Sequence, residues 1–563
     1  MSIYGQLRDV WNELTKPGAE FEIIETEWHG SPTKTYANAF DNLRDVWLTS
    51  KTFGDRDYLV YKEERLTYDQ AHQRVANIAN WLINKGVEPG DRVAIAMRNY
   101  PEWLQTYWAA ISIGATVSGM NAWWVGQEMI HGINEATPKI LVCDEERLNR
   151  LTPLLDEVTN PLTIVCVRCA NISPNTAKWE ELISGSSDLP DVKIEAEDIA
   201  CIFYTSGTTG FPKGAQLTHR GCTNNIMNLS FWATCLATVN ELNGKPSNAT
   251  ETQLASLVTT PLFHVTANNC VNHPMTLQGG KLVHMYKWDA EEALKLIEQE
   301  KITAVTGVPV MARELLSHPD FNNYDTSSVK GLGGGGAPLQ PDLVGKIAKT
   351  EARPGTGYGM TETSGVITSI GGEFFTDRPT SAGPIMPNFE AMLVDEAGCE
   401  VPLGTSGELW VKGAPVIKGY INRPEATKEA ITNGWLHTGD IARMDEDGFV
   451  YIVDRAKDMV LRGGENVYCA EVEATIYEHE SVAECCAFSV PDDRLGEEVG
   501  VAIFLNNDSN TSGDEIKEHC IARMAKHKVP RYIWFLDNPI PRNANGKFLK
   551  RQLQQELEIE QAR

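Results

Sequence analysis

Basic residues are scarce in this sequence. Its 563 residues include 50 lysines and arginines against 76 aspartates and glutamates, a formal net charge of −26 at pH 7. A general nucleic-acid-binding protein needs a basic face to neutralise phosphates, so this balance argues against that class of protein. We therefore expect no nucleic-acid partner.

Long apolar runs are also missing. Residues 103–127 carry no charge, but they include glutamine, serine, threonine, asparagine and glycine. A membrane span needs about 20 predominantly apolar residues, so we interpret the run as a buried helix, turn and strand. The first residues contain no basic segment followed by an apolar one. We expect no transmembrane segment, no secretory leader and a cytoplasmic location.

Cysteine clusters are absent as well. Twelve cysteines are scattered along the chain, and one Cys-x-x-Cys pair, Cys166 and Cys169, ends an apolar run. No second pair or Cys/His group completes a four-ligand zinc site. We expect two ordinary cysteines at a strand end, without a zinc site or disulfide framework, in a reducing compartment.

Helical and strand patterns alternate along most of the chain, which is too long for one hydrophobic core. Apolar residues follow the helix cap Thr67 at helical spacing as far as Leu82, and a short apolar run at 92–97 predicts a buried strand. The alternation predicts an α/β protein with layered, mostly parallel sheets. Residues 390–453 favour a β-rich subdomain, and a polar joint at 454–464 precedes a unit of about 100 residues.

Two polar stretches interrupt these patterns. Residues 170–190 are rich in serine, asparagine and proline, and residues 238–252 are also polar. We expect the first to be a connecting segment and the second to be a surface loop.

Residues 204–214 are rich in groups that bind anions. They read Tyr-Thr-Ser-Gly-Thr-Thr-Gly-Phe-Pro-Lys-Gly, with three glycines and one lysine. Glycines let backbone N–H groups approach an anion, hydroxyls add donors, and lysine adds a charge. The segment predicts a loop that holds a phosphate chain, although the pattern of a Walker A loop does not fit it. A flexible hairpin turn is the alternative.

Five further motifs follow in order. They are Gly-Tyr-Gly-Met-Thr-Glu-Thr at 357–363, Gly-Glu-Leu-Trp-Val-Lys-Gly at 407–413, Trp-Leu-His-Thr-Gly-Asp at 435–440, Asp-Arg-Ala-Lys-Asp at 454–458, and Pro-Arg-Asn-Ala-Asn-Gly-Lys at 541–547. Together with the loop at 204–214, they resemble motifs of the adenylate-forming superfamily, which contains acyl-CoA synthetases, luciferases and the adenylation domains of peptide synthetases. The resemblance covers nearly the whole chain.

The resemblance implies an organisation in two domains. Residues 1–454 would form a large N-terminal adenylation domain of layered, mostly parallel sheets with a β-rich subdomain. Residues 455–563 would form a small, mobile α+β C-terminal domain that carries a catalytic lysine. A hinge near 454–458 would let this domain rotate between two half-reactions, with Lys457 at the hinge position.

The resemblance also implies a role for each matching residue at an ATP site. The β- and γ-phosphates would lie against Thr205, Ser206, Gly207, Thr208, Thr209, Gly210 and Lys213. The adenine would be framed by Gly335, Gly336, Ala337, Gly357 and Tyr358, and the same nucleotide segment includes Gly359 and Met360. Thr361 would donate to the α-phosphate, Glu362 would bind Mg²⁺, and Asp440 would accept from the ribose hydroxyls. Arg455 would also reach the nucleotide.

Three further sites complete the predicted chemistry. Lys547 would bridge the attacking carboxylate and the α-phosphate as charge develops. Arg462, Gly463 and Gly464 resemble the segment that meets coenzyme A after rotation, although an arginine beside glycines is also an ordinary turn. His264 resembles a residue at the mouth of the acid site, and a structural histidine is the alternative. The catalytic candidates are thus Lys547, Glu362, Thr361, Thr205 and His264.

The resemblance favours an ATP- and Mg²⁺-dependent acyl-CoA synthetase that converts a carboxylic acid, expected to be a fatty acid, to its coenzyme A thioester through an acyl-adenylate. The segment Pro-Leu-Phe-His at 261–264 resembles the corresponding segment of fatty and medium-chain acyl-CoA synthetases. The pattern contains no basic residue that would pair with the second carboxylate of a dicarboxylic acid. The alternatives are an adenylate ligase that loads a carrier protein, a luciferase-like oxygenase, and a non-catalytic nucleotide-binding protein. A homodimer is the candidate assembly.

Overall fold

The computed structural model describes residues 2–170, 176–185, 188–205, 212–245, 252–463, 465–506, 509–543 and 546–562. Helices and strands alternate through the first two thirds of the described chain, as the sequence predicts. The strands form two large mixed sheets, an antiparallel sheet, a small hairpin and a C-terminal sheet.

One large sheet carries the strand that leads into the predicted phosphate loop. In spatial order its strands are Gly419–Tyr420, Lys213–Thr218, Ile199–Thr205, Thr116–Gly119, Arg92–Ala96, Ile140–Asp144, Thr163–Val167 and Thr176–Lys178. From Ile199–Thr205 onward, neighbouring strands are parallel. Strand Lys213–Thr218 is antiparallel to both of its neighbours. This confirms the predicted mostly parallel layer.

The second large sheet carries the predicted nucleotide segment. Its strands, in spatial order, are Gly365–Gly371, Arg353–Met360, Gly331–Gly334, Ala304–Gly307, Ala255–Val258, Lys281–His284, Asp57–Tyr61 and Glu64–Thr67. The inner pairings are parallel, and the pairing at each end is antiparallel. The carboxyl ends of the parallel strands therefore meet at one edge of the sheet, where α/β proteins bind ligands.

The β-rich region predicted at 390–453 is an antiparallel sheet. It contains Gly383–Pro384, Phe449–Arg455, Trp435–Met444, Gly407–Gly413 and Phe389–Val394, with Ile431–Thr432 paired to its longest strand. A hairpin, Ile23–Trp28 and Ser31–Tyr36, precedes the large sheets in the chain. The predicted domain boundary falls where strand Phe449–Arg455 ends.

The C-terminal unit has a sheet of its own. Strands Glu465–Val467, Val460–Arg462, Gly496–Leu505 and Val482–Asp492 follow one another, and Tyr532–Leu536 runs parallel to Gly496–Leu505. Helices Cys469–Tyr477 and Gly513–Ile521 pack in this unit around a core of valine, isoleucine and cysteine side chains. The unit therefore has a core separate from those of the large sheets.

The other helices cover the large sheets or cap their edges. They are Ile3–Thr15, Leu43–Thr49, Tyr68–Asn84, Pro101–Ser112, Gly126–Ala136, Glu145–Leu151, Trp179–Ile183, His219–Leu242, Val265–Ala267, His273–Leu277, Ala290–Glu300, Pro309–Ser317, Pro341–Ile347, Gly372–Asp377 and Pro424–Ala430. Helix Lys550–Glu556 instead packs on strand Val482–Asp492 of the C-terminal unit. One turn of π-helix, Asn268–Asn272, joins Val265–Ala267 to His273–Leu277.

The helix Tyr68–Asn84 illustrates how local sequence sets an element. Thr67 Oγ1 accepts from the backbone N–H of Gln70, and Gln70 Oε1 accepts from the backbone N–H of Thr67. This capping box satisfies two N–H groups that would otherwise lack partners. The apolar face predicted from the sequence is buried, from Ala71 through Leu82.

Three local predictions are wrong. The stretch 170–190 is not only a connection, because it contains strand Thr176–Lys178 and helix Trp179–Ile183. The predicted loop at 238–252 begins inside helix His219–Leu242, whose apolar residues pack on the core. Cys166 and Cys169 are joined as one local disulfide, so the prediction of two unpaired cysteines is corrected.

Candidate active site

The predicted site residues come from both large sheets and from the antiparallel sheet. Strand Arg353–Met360 leads into a single turn, Thr361–Thr363, that carries Thr361 and Glu362. The neighbouring strands Gly331–Gly334 and Ala304–Gly307 end at the same edge. The residues that follow these two strands, 335–337 and Val308, therefore lie beside the nucleotide segment.

Glu362 is a buried carboxylate that the segment 417–420 holds in place. Its side chain accepts a hydrogen bond from Tyr420 Oη at 2.7 Å, and its backbone carbonyl accepts from the backbone N–H of Ile417 at 3.0 Å. Glu362 as a whole is 7% exposed to solvent. Because the tyrosine uses Oε1, the carboxylate offers its second oxygen to a cation.

Lys213 lies beside the same tyrosine. Its ammonium nitrogen is 5.1 Å from the centroid of the Tyr420 ring, a distance at which a cation and an aromatic ring attract. Lys213 begins strand Lys213–Thr218 and is paired with Thr205, whose Oγ1 donates to the Lys213 carbonyl at 3.5 Å. The structure therefore brings Thr205, Lys213 and Glu362 to one place through Tyr420.

Asp440 lies at the junction of the antiparallel sheet and the nucleotide segment. Tyr358 Oη donates to its Oδ2 at 2.7 Å, and Arg455 Nε lies 3.2 Å from its Oδ1. Burial and the nearby Asp440 carboxylate raise the pKa of Tyr358 well above its ordinary value, so this hydroxyl remains a donor. The residues predicted for adenine, ribose and nucleotide contact are thus neighbours.

The motifs at 407–413 and 435–440 support Asp440. The backbone N–H of Gly439 donates to Glu408 Oε1 at 3.0 Å. Thr438 Oγ1 donates to the Leu409 carbonyl at 2.6 Å and accepts from the backbone N–H of Asp440 at 3.1 Å. These contacts give the two motifs a structural reason to occur together.

Lys547 reaches the site from the C-terminal unit. A Cβ atom built on Gly336 would lie 3.9 Å from Lys547 Cε, and one built on Gly546 would lie 2.7 Å from Val308 Cγ2. Gly546 also has φ +74°, so both its conformation and its close approach to Val308 favour glycine. The last motif is therefore packed against the edge of the second large sheet.

The charge of Lys547 is influenced by groups from three other motifs. Burial and, next, the Arg455 guanidinium lower its pKa, whereas Asp440 and Glu362 oppose the shift. The hairpin that carries it is tied together because the backbone N–H of Asn543 donates to the Lys547 carbonyl at 2.9 Å. Arg542 anchors this hairpin to Glu484 at 2.7 Å.

Four consecutive glycines, at 333–336, have two structural roles. A Cβ atom on Gly333 or Gly334 would lie 1.8 Å from a carbonyl oxygen of a neighbouring strand, at Gly355 or Gly307. These two glycines are therefore required by strand packing, not by a ligand lying against them. Gly336, in contrast, lies beside the Lys547 side chain, since a Cβ atom built on it would be 3.9 Å from Lys547 Cε.

The remaining glycines of the nucleotide segment pack against strand Gly365–Gly371. A Cβ atom on Gly357 would lie 3.1 Å from the Thr368 carbonyl oxygen, and one on Gly359 would lie 2.0 Å from that of Gly365. The backbone N–H of Met360 donates to Thr363 Oγ1 at 3.1 Å. These contacts hold the turn that carries Glu362.

A buried amide pair stabilises the chain directly after Glu362. Ser364 has φ +54°, an unusual conformation for a residue with a side chain. Asn269 Nδ2 donates to the Ser364 carbonyl at 2.8 Å, and Asn225 Oδ1 accepts from the backbone N–H of Val366 at 2.9 Å. Both asparagines are fully buried. No sequence motif pointed to these asparagines or to Tyr420.

His264 precedes the short helix Val265–Ala267. Its ring centroid is 4.8 Å from that of Phe263, which packs edge-on against Trp123 at 5.7 Å. The backbone N–H of His264 donates to the Pro261 carbonyl. Two aromatic rings, the buried Phe263 and the exposed Trp123, therefore lie beside the predicted mouth of the acid site.

The predicted coenzyme A segment lies elsewhere in this structure. Arg462 forms a bidentate ion pair with Glu498, at 2.7 and 2.9 Å, and Gly463 packs on Leu495. Both contacts are within the C-terminal unit, so the structure does not bring Arg462 and Gly463 into the cluster around Glu362. Lys457 is exposed, at the joint between the units.

Several predicted residues lie outside the described ranges. They are Ser206, Gly207, Thr208, Thr209, Gly210 and Gly464. Within the ranges that the structure describes, no three histidine, cysteine, aspartate or glutamate side chains gather as a metal site. In the same ranges, each helix is too short or too polar to cross a bilayer.

Comparison with known proteins agrees with this geometry. The family model of AMP-binding enzymes matches residues 46–421, and the model of the AMP-binding enzyme C-terminal domain matches residues 471–547. Feruloyl-CoA synthase of an Amycolatopsis species is 36% identical over 492 residues, which cover 86% of this chain and 92% of that protein.

Solved structures are similar as well. The o-succinylbenzoate CoA synthetase of Bacillus subtilis, in complex with its acyl-adenylate intermediate, has a TM-score of 0.74 at 26% identity over 91% of this chain and 98% of that chain. A fatty acyl CoA synthetase of Mycobacterium tuberculosis has a TM-score of 0.68 at 28% identity, over 92% and 98% of the two chains.

The chain therefore belongs to the AMP-binding enzymes of the adenylate-forming superfamily. It is an AMP-forming acid–thiol ligase that uses ATP and a carboxylic acid.

Proposed function

We propose that the enzyme activates an apolar carboxylic acid that carries an aromatic ring. The relative at 36% identity is named for a feruloyl thioester, and a solved relative is named for succinylbenzoate. The exposed ring of Trp123, which packs on the buried Phe263 beside His264, supplies a surface that favours an aromatic partner. A fatty acid, expected from the sequence, is the second candidate, favoured by the similarity to the mycobacterial fatty acyl CoA synthetase.

The position of Lys547 is the observation that carries the proposed mechanism. Its side chain approaches Gly336, and its charge is coupled to Glu362, Asp440 and Arg455. In the first half-reaction a carboxylate oxygen attacks the α-phosphate of ATP, and pyrophosphate leaves. The Lys547 ammonium stabilises the negative charge that develops between the two reactants. A thiol then attacks the acyl carbon, and AMP leaves.

The remaining residues position the nucleotide in this proposal. Thr205 and Lys213 hold the outer phosphates, Thr361 donates to the α-phosphate, and Asp440 accepts from the ribose. Arg455 stands beside Asp440 and also reaches the nucleotide. The second oxygen of Glu362 would hold Mg²⁺, which prefers a carboxylate together with substrate phosphates and water. The ion would neutralise phosphate charge. His264 lies at the mouth of the acid site.

Coenzyme A would meet Arg462, Gly463 and Gly464 after the C-terminal unit rotates. The division at 454/455, the hinge at Lys457, a cytoplasmic location and a homodimer stay predictions. A carrier protein as the acceptor and luciferase-like oxygenation are the alternative fates of the acyl-adenylate against which the proposal is tested.

The test is pyrophosphate release with ferulate, other aryl acids and straight-chain acids from acetate to long-chain fatty acids, each with and without coenzyme A. We expect the highest kcat/KM with an aryl acid, and thioester formation only with coenzyme A. A maximum among straight-chain acids would favour the fatty acid instead. Transfer only to a carrier protein would overturn coenzyme A as the acceptor.

The variant Lys547→Ala belongs in the same assay. We expect at least a 100-fold loss of acyl-adenylate formation, because a charge that acts in the transition state is removed. Lys526→Ala, which changes an exposed lysine of the same unit, is the matched control and should retain full activity. Normal adenylation by Lys547→Ala would contradict the assignment.

A further inference from the structure

Tyr420 joins two groups of the candidate ATP site that come from different sheets. Its hydroxyl donates to Glu362 Oε1 at 2.7 Å, and the ammonium of Lys213 lies 5.1 Å from its ring centroid. Glu362 follows the second large sheet, whereas Lys213 begins a strand of the first. We propose that Tyr420 is a positioning residue that holds the metal-binding carboxylate and the phosphate-binding lysine at a fixed separation.

The backbone of Tyr420 is well suited to this task. It belongs to the short strand Gly419–Tyr420, which pairs with Lys213–Thr218 at Ala215. Its N–H donates to Thr427 Oγ1 at 2.9 Å, and that hydroxyl donates in turn to the Arg423 carbonyl at 3.0 Å. Tyr420 is therefore fixed to both the sheet edge and helix Pro424–Ala430.

The hydroxyl of Tyr420 is the donor in its hydrogen bond to the Glu362 carboxylate. A neutral phenol can donate to the carboxylate without competing for the cation. Outer partners of this kind orient a metal ligand, and their removal commonly costs 10–100-fold in metal affinity or activity.

The ring has a separate role. An ammonium over an aromatic face gains about 0.5–2 kcal/mol from the quadrupole of the ring. The Lys213 side chain is thereby held over the ring of Tyr420. Loss of the hydroxyl should affect the metal, and loss of the ring should affect ATP as well.

The inference rests on the proposed role of Glu362, so the test measures metal binding directly. Electron paramagnetic resonance would count free Mn²⁺ in the presence of the enzyme and α,β-methylene-ATP, which cannot be cleaved at the reacting bond. We expect Tyr420→Phe to weaken Mn²⁺ binding 10–100-fold. The Mg²⁺ concentration for half-maximal pyrophosphate release should rise by a similar factor, while kcat recovers at saturating Mg²⁺.

Tyr451→Phe is the matched control, because Tyr451 Oη donates to Asp445 at 3.0 Å in the antiparallel sheet. It removes the same atom from the same kind of bond and should leave both metal measurements unchanged. A second variant, Tyr420→Leu, also removes the ring and should raise the KM for ATP above that of Tyr420→Phe. Melting temperatures of all variants would separate these effects from loss of folding.

Glu362→Gln distinguishes failure of the inference from failure of the proposed function. If Glu362→Gln loses Mn²⁺ but Tyr420→Phe binds it like the wild type, the positioning role is overturned and the role of Glu362 stands. If Glu362→Gln also binds Mn²⁺ normally, the proposed metal ligand is wrong and the inference fails with it. A double variant no weaker than Glu362→Gln alone would support action of Tyr420 through Glu362.

Discussion

Lys547 shows how one side chain depends on its surroundings at the residue scale. Burial and the Arg455 charge favour the neutral amine and lower its pKa, while the carboxylates of Asp440 and Glu362 only partly offset them. The proposed chemistry needs the ammonium form. An ordinary lysine has a pKa near 10.4. The loss of adenylation at alkaline pH should therefore begin at a lower pH than it would with an ordinary lysine.

This prediction is checked by the pH profile of pyrophosphate release at saturating ATP and acid. Activity should fall as pH rises through the lowered pKa of Lys547. In Lys547→Arg the guanidinium stays charged, so the alkaline fall should move to higher pH although turnover is slower. An unchanged profile in Lys547→Arg would assign the titration to another group.

The ion pair between Arg462 and Glu498 is the basis of a prediction at the scale of the C-terminal sheet. Glu498 is 1% exposed, and Arg462 holds both of its carboxylate oxygens from the neighbouring strand. Removing the guanidinium leaves a buried charge with a weaker partner, Arg531, at 3.5 Å. We expect Arg462→Ala to destabilise this sheet by about 2–3 kcal/mol.

The measurement is amide hydrogen exchange of strand Gly496–Leu505, whose protection should fall by more than tenfold in Arg462→Ala. Arg531→Ala is the control, because its side chain is about half exposed and its loss should cost less than about 1 kcal/mol. Equal protection in the two variants would mean that Arg462 is free to serve coenzyme A without a structural cost.

The elements differ in how far the sequence predicted them. The capped helix Tyr68–Asn84 and the parallel strands were predicted because periodicity and caps are local signals. Residues 238–242, the end of helix His219–Leu242, were predicted to belong to a surface loop because the stretch 238–252 is polar. Packing of Phe231, Cys235 and Val239 against the core overrides that signal.

The joint between the units sets the prediction at the scale of the whole molecule. Asp454 ends the antiparallel sheet, and its Oδ2 accepts from the backbone N–H of Cys469 in the C-terminal unit. Lys457 follows in an exposed turn. If the C-terminal unit rotates about this turn, a proline at 457 should restrict the rotation. Proline fixes its own φ angle and limits the backbone conformations of the preceding residue.

We expect Lys457→Pro to retain acyl-adenylate formation and to slow thioester formation at least tenfold. Single-turnover assays would measure the two half-reactions separately. Lys457→Ala keeps the backbone free and should perform both at nearly the wild-type rate. An equal loss of both half-reactions in Lys457→Pro would contradict rotation about this position.

The sequence by itself determined the family motifs, their order and the mostly parallel α/β layers, since these depend on local residue patterns. Only the tertiary structure decided which side chains hold the motifs in place. Tyr420 and Glu362 are 58 positions apart, and Asn269 and Ser364 are 95 apart. Such pairs form only when segments distant in the chain pack at a particular separation, and no local periodicity encodes that distance.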